Sequence, residues 1–102
     1  MQFVVNAHDG KNMLEKRMEV RPRHLENMDR LRDNVICAGG LLDGDGSMKG
    51  SVLVMAFEDR AALEAYLASE PYIQEGVWER VEVEPMNVVI VNGERFSPST
   101  SA

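Results

Sequence analysis

Val35-Ile36-Cys37-Ala38-Gly39-Gly40-Leu41-Leu42, followed by Asp43-Gly44-Asp45-Gly46-Ser47 and a return run from Gly50 to Glu58, is the stretch that decides the fold. The first run is apolar or small throughout and too short for another helix, which predicts a buried strand. The Asp/Gly cluster after it is a hairpin signal. Gly50 to Glu58 then returns as the second strand of the pair. Along it Val52, Val54 and Ala56 point one way while Leu53, Met55 and Phe57 point the other, so both faces are apolar and both need cover. A chain of 102 residues has helices for one face only. A second copy of the same sheet is the economical cover for the other, which predicts a homodimer or a higher even oligomer.

Downstream, Asp59 is a good N-cap for a helix over 60–68 with Leu63, Tyr66 and Leu67 inward. Glu70 precedes a proline and favours extended backbone, so the helix stops at Ser69-Glu70-Pro71, and one short turn over 71–75 is closed by Gly76. Trp78 to Glu84 alternates as a strand with Val81 and Val83 on one face, interrupted by Pro85. Met86 to Val91 resumes as an extended segment expected to pair with a sheet edge, of this chain or of a partner. Asn92-Gly93 permits a final turn, and 97–102 reads as a disordered tail. Upstream, Phe3, Val5 and Ala7 alternate with polar neighbours as a first strand over 2–8, closed by His8-Asp9-Gly10-Lys11-Asn12. Residues 13–20 lead irregularly into a helix over 22–34, with Pro22 at its first position. The order strand, helix, strand, strand, helix, strand is that of a ferredoxin-like α+β fold with an antiparallel sheet, one domain over 1–96.

The net charge of −6 argues against a nucleic-acid partner, whose phosphates need a basic face. No apolar run approaches the roughly 20 residues that span a bilayer, and the first residues lack the charged and apolar regions of a signal peptide. A soluble cytoplasmic protein without a membrane partner is expected. The lone Cys37 suits a reducing compartment and a small buried hydrophobe. Asp43 to Ser47 superficially follows a calcium loop, but Met48 stands where glycine is needed and Val54 where a bidentate glutamate is needed. His8 and His24 without clustered cysteines give no zinc spacing. With no phosphate-binding glycine loop, nucleophile elbow or dinucleotide fingerprint, neither metal nor cofactor is expected.

A second stretch carries the chemistry: Arg17-Met18-Glu19-Val20-Arg21-Pro22-Arg23-His24-Leu25-Glu26-Asn27-Met28. With Pro22 opening the helix, Val20 and Leu25 suit a hydrophobic staple, and His24, Met28, Leu31 and Val35 follow on one face. His24 then sits one turn inside the positive end of the helix dipole, among Arg17, Arg21 and Arg23. That surrounding disfavours the imidazolium and leaves a neutral ring able to accept a proton. Arg21 and Arg23 at a helix N-terminus would be relieved by an anion such as a small carboxylate. Equally, Glu15, Glu19 and Glu26 neutralise the arginines and His24 packs as an ordinary core residue. The pattern leaves both open.

Arg17…Arg21-Pro22-Arg23-His24-Leu25, Ala38-Gly39 entering the hairpin, Asp45-Gly46…Gly50-Ser51 leaving it, and Glu70-Pro71-Tyr72 before Gly76 stand in a specific order and spacing. On these pieces, from Phe3 to about Pro85, the chain resembles the YciI-related proteins, small members of the dimeric α/β-barrel group. The resemblance implies an enzyme family with a histidine and an aspartate in a pocket between helices and sheet. One branch of it acts as dehydrochlorinases on chlorinated hydroxyquinols, a cofactor-free lyase reaction. The histidine falls on His24. The acidic position of the family's Asp-Pro-Tyr motif falls on Glu70, which keeps the charge and moves the carboxylate by one methylene. Asp9 matches an aspartate often seen at the end of the first strand.

As chemistry, His24 with Glu70 or Asp9 is a proton-transfer pair in which the carboxylate orients the ring and stabilises its cation. Arg17 or Arg21 would hold a substrate carboxylate or phenolate. Ser51 and Tyr72 would complete the substrate contacts. The plainer roles are a turn cap for Glu70, a half-buried aromatic for Tyr72 and a strand start for Ser51. Three functions follow. The first is a cofactor-independent lyase- or isomerase-like enzyme on a small anionic, aromatic or quinonoid molecule. The second is a non-catalytic ligand-binding or accessory homodimer, and the third a heme-free monooxygenase-like relative.

Overall fold

The computed structural model describes residues 1–97. In order along the chain it contains β1 (Gln2–Asp9), α1 (Leu14–Arg30), β2 (Val35–Leu42), β3 (Met48–Ala56), α2 (Arg60–Ser69), α3 (Pro71–Gln74) and β4 (Trp78–Met86). A small hairpin of β5 (Ile90–Val91) and β6 (Glu94–Arg95) follows. The long strands form one antiparallel sheet in the order β2-β3-β1-β4. This is the ferredoxin-like α+β arrangement, with β1 and β3 central.

Strand alternation sorts the sheet into two faces. Phe3, Val5 and Ala7 of β1 and Leu53 and Met55 of β3 are buried on one, packed with Val20, Leu63, Tyr66 and Tyr72 from the helices. Val4, Val52, Val54 and Ala56 on the other are half-buried. Asp59 caps α2 as its residue type predicts, its carboxylate accepting the Ala62 N–H at 2.9 Å.

The first helix departs from the sequence expectation. It starts at Leu14, and Pro22 lies inside it rather than at its first position. Pro22 is exposed, so it displaces no core packing; its cost is local to the helix, a missing N–H bond and crowding against the Met18 carbonyl one turn back. The buried positions of α1 are Arg17, Val20, His24 and Asn27, a stripe too polar for hydropathy to flag. Leu25 is exposed opposite buried Val20, so the staple does not form. The helix ends at Arg30, and Arg32–Asn34 is a single 3-10 turn.

Other boundaries shift for local reasons. β2 is an edge strand, so Cys37 to Gly40 are exposed rather than buried, and Cys37 is a surface thiol. β3 begins at Met48 and ends before Glu58. β4 runs through Pro85 opposite Phe3, because an edge strand tolerates a missing donor. The segment after it does not add to an edge of this chain's own four-stranded sheet. Val88 is buried, its N–H donating to Gln2 Oε1 at 3.3 Å, and with Ile90 and Val91 it borders a cavity walled by Ile36, Cys37 and Val54. The chain then reverses in its own hairpin, with Asn92 (φ 57°) and Gly93 (φ 80°) both left-handed. The expected disordered tail lies, beyond Ser97, outside the described residues. Among the described residues no helix is long and apolar enough to cross a membrane.

Gly50 sets the closeness of the central strands: a Cβ there would stand 2.5 Å from the Ala7 carbonyl oxygen. Gly50→Ala is expected to destabilise the fold by about 1–3 kcal/mol through overpacking against backbone. A lowered urea midpoint at unchanged slope would register it, and an unchanged midpoint would refute it.

Candidate active site

The site is built where α2 meets α3. Pro71 keeps Glu70 extended (φ −71°, ψ 119°), so Glu70 closes α2 and caps α3 in one residue. Its side chain has no exposed surface. The carboxylate accepts the Tyr66 hydroxyl at 2.7 Å on Oε1 and the Tyr72 N–H at 3.0 Å on Oε2. His24 Nδ1 lies 2.9 and 3.0 Å from its two oxygens. A carboxylate only accepts, so Nδ1 carries the proton and, in a neutral ring, Nε2 holds the lone pair. The turn-cap role and the His24 contact therefore coexist in Glu70.

His24 is 8% exposed and stacks on Tyr72, ring centroids 4.3 Å apart. Trp78 meets its ring edge-on at 6.1 Å. Because α1 starts at Leu14, His24 lies mid-helix and the field of the helix terminus, confined to the first turn, does not act on it. The carboxylate of Glu70 is the charge in direct contact with the ring.

Arg17 and Asp9 form a second buried unit. Arg17 Nη1 donates to both Asp9 oxygens at 2.9 and 3.0 Å, and Nη2 donates to Ser51 Oγ at 2.8 Å. The guanidinium carbon lies 4.6 Å from the centroid of the Tyr72 ring. Burial pushes the Asp9 carboxyl up despite the pull of the Arg17 guanidinium. Arg17 Nε is buried without a hydrogen-bond partner. Of the acids weighed on sequence, Glu70 is bonded to His24, while Asp9 is bonded to Arg17. Arg21 differs from Arg17: it is exposed, and among the described residues it enters no ion pair.

A cavity of about 450 Å³ opens between α1 and the β2–β3 hairpin, bordered by Arg21, His24, Met28, Ser51, Leu53 and Tyr72. Its floor includes Gly40 of β2 paired with Ser51 of β3, and Ala38 of β2 paired with Leu53, so three of these four positions are small. Thus the site brings together Arg17, Arg21, His24, Ser51, Glu70, Tyr72 and Asp9; Arg17 is matched by Asp9 and His24 by Glu70, while Arg21 enters no ion pair among the described residues, and Asp29 and Arg32 border the same cavity. Tyr66, read from sequence as a core residue, is the contact that reading missed. Its one signal is the i,i+4 spacing to Glu70. Burial and then the charge of Glu70 push the Tyr66 phenol far up, and burial raises that of Tyr72 against Arg17 and Arg21. Among the described residues no group of three His, Cys, Asp or Glu side chains stands where it could hold a metal.

Comparison with known proteins fits this frame. The YCII-related domain profile matches residues 1–87. Protein YciI of Escherichia coli is 35% identical over 97 residues, covering 87% of this chain and 99% of that protein. A Haemophilus influenzae protein is 32% identical over the same shares of the two chains. Among solved structures, the 5-chloro-2-hydroxyhydroquinone dehydrochlorinase TftG of Burkholderia phenoliruptrix, in complex with 2,5-dihydroxybenzoquinone, superposes with a TM-score of 0.81. It is 23% identical, over 85% of this chain and 94% of that one, a likeness of fold.

Two outcomes test the buried groups. Arg17→Met leaves Asp9 buried and unpaired, and is expected to cost about 3–5 kcal/mol in denaturant unfolding at neutral pH, partly recovered by adding Asp9→Asn. Alkaline absorbance titration of the native protein should show neither tyrosine ionising at the ordinary value of 10. The unfolded chain releases those phenolic protons first, so stability should fall as the pH rises above about 10. Normal titration of both phenols in folded protein would contradict their burial.

Proposed function

The chain belongs to the YCII-related domain family, and on that premise we propose that it is a cofactor-independent small-molecule enzyme of lyase or isomerase type. Its substrate is a small anionic molecule, aromatic or quinonoid, and its proton-transfer pair is His24 with Glu70. The observation that carries the reading is the disposition of one ring. Nδ1 of His24 is held by a fully buried carboxylate, while Nε2 has no protein partner among the described residues and the ring borders the cavity.

The chemistry follows from that disposition. Nε2 takes a proton from the substrate, and Glu70 stabilises the imidazolium that forms. The electron pair released from the substrate forms a new double bond as a leaving group departs from the neighbouring atom, chloride in a chlorinated hydroxyquinol. The imidazolium then returns its proton to product or solvent. Arg21 pairs with the carboxylate or phenolate of the substrate and offsets the charge that develops on it. Arg17, already matched by Asp9, holds Tyr72 and Ser51 in the cavity wall. The longer glutamate in the family's aspartate position still reaches Nδ1 at 2.9 Å. The working unit is a homodimer formed through the sheet face of Val52, Val54 and Ala56, whose apolar side chains remain half-buried in one copy.

Turnover of chlorinated and plain hydroxyquinols by wild type and His24→Ala tests the reading. The substitution should lower the rate by about 10²–10⁴-fold, the usual share of a general base. Binding of 2,5-dihydroxybenzoquinone that survives His24→Ala, with no turnover by either protein, would overturn it in favour of a ligand-binding dimer.

A further inference from the structure

We propose that Tyr66 is a positioning residue of this site: its hydroxyl anchors the Glu70 carboxylate so that both oxygens face His24, an inference that rests on the His24–Glu70 reading above. Three donors fill the carboxylate, and each comes from a different helix: Nδ1 of His24 from α1, the Tyr66 hydroxyl from α2 and the Tyr72 N–H from α3. The Tyr72 bond is set by the local turn. The Tyr66 bond, at 2.7 Å, is the shortest of them and falls on Oε1, one of the two atoms in contact with the imidazole.

A glutamate has one more rotatable bond than an aspartate, and a group that must hold a ring steady needs that freedom removed. Tyr66 removes it from a rigid base. Its ring is 3% exposed and stacked near-parallel to Phe57, interplanar angle 18°. The last turn of α2 carries the hydroxyl directly over a carboxylate four residues on. A phenol donating to Oε1 also draws off part of the charge that the imidazolium would otherwise meet. The other titratable or charged groups that line the cavity beside the ring are Tyr72 from α3, Arg17, Arg21 and Asp29 from α1 and Arg32 just after it, with Asp9 of β1 matched to Arg17. Tyr66→Phe changes none of them.

The test is an NMR titration of the His24 ring nitrogens in the full chain, for wild type, Tyr66→Phe, Glu70→Gln and the double variant. Tyr66→Phe should raise the His24 midpoint by about 0.5–1 pH unit, because the carboxylate it meets is less neutralised. Glu70→Gln should lower the midpoint, and adding Tyr66→Phe to it should change nothing further. If Glu70→Gln leaves the midpoint where it was, the His24–Glu70 reading falls and takes this proposal with it. If Glu70→Gln lowers it and Tyr66→Phe does not raise it, the proposal alone falls. Should Tyr66→Phe fail to fold, the wild type decides. A slowly exchanging Tyr66 hydroxyl proton whose shift follows the His24 titration supports the role, and a hydroxyl that ignores that titration overturns it.

Discussion

A buried carboxylate must be met by donors, and the contacts around Glu70 are how three helices are held to that requirement. His24, Tyr66 and Tyr72 converge on it from α1, α2 and α3. None of these contacts can be optimised alone, because moving any one helix takes a donor away from the buried carboxylate that the others share. The same demand that fixes the helices relative to one another fixes the imidazole, so the site is as rigid as the core that surrounds it.

The second buried unit has a different purpose. Arg17 is neutralised by Asp9 and spends its other amino group on Ser51, so it acts on the cavity through shape, backing Tyr72 and joining α1 to the first and third strands. The arginines at the mouth that enter no ion pair among the described residues are Arg21 and Arg32, both exposed. Ala38, Gly40 and Ser51 give the floor three small residues, and a Cβ at Gly40 would press on the Met48 side chain, 3.0 Å from its sulfur.

Much of this was legible from residue types. The hairpin at Asp43–Ser47, the Asp59 cap, the Glu70-Pro71 break and the strand alternation each depend on local chemistry, and each was read close to where it lies. The first helix was not, because its buried stripe is Arg17, Val20, His24 and Asn27. Periodicity searches for apolar side chains, and here three of those positions are polar. The exposure of Cys37 escaped for the converse reason: an apolar run says nothing about whether its strand stands at the sheet's edge. His24 and Glu70 were legible as candidates, but choosing Glu70 over Asp9 as the bonded acid required three-dimensional placement, and so did Tyr66.

The chain contains a single tryptophan, and it is Trp78, edge-on to the His24 ring. Its indole is buried, so its emission answers to neighbouring side chains more than to bulk solvent. Gain or loss of a proton on the imidazole, or a guest molecule entering beside it, therefore alters the surroundings of the one native fluorophore. The protein carries its own optical reporter beside the His24 imidazole.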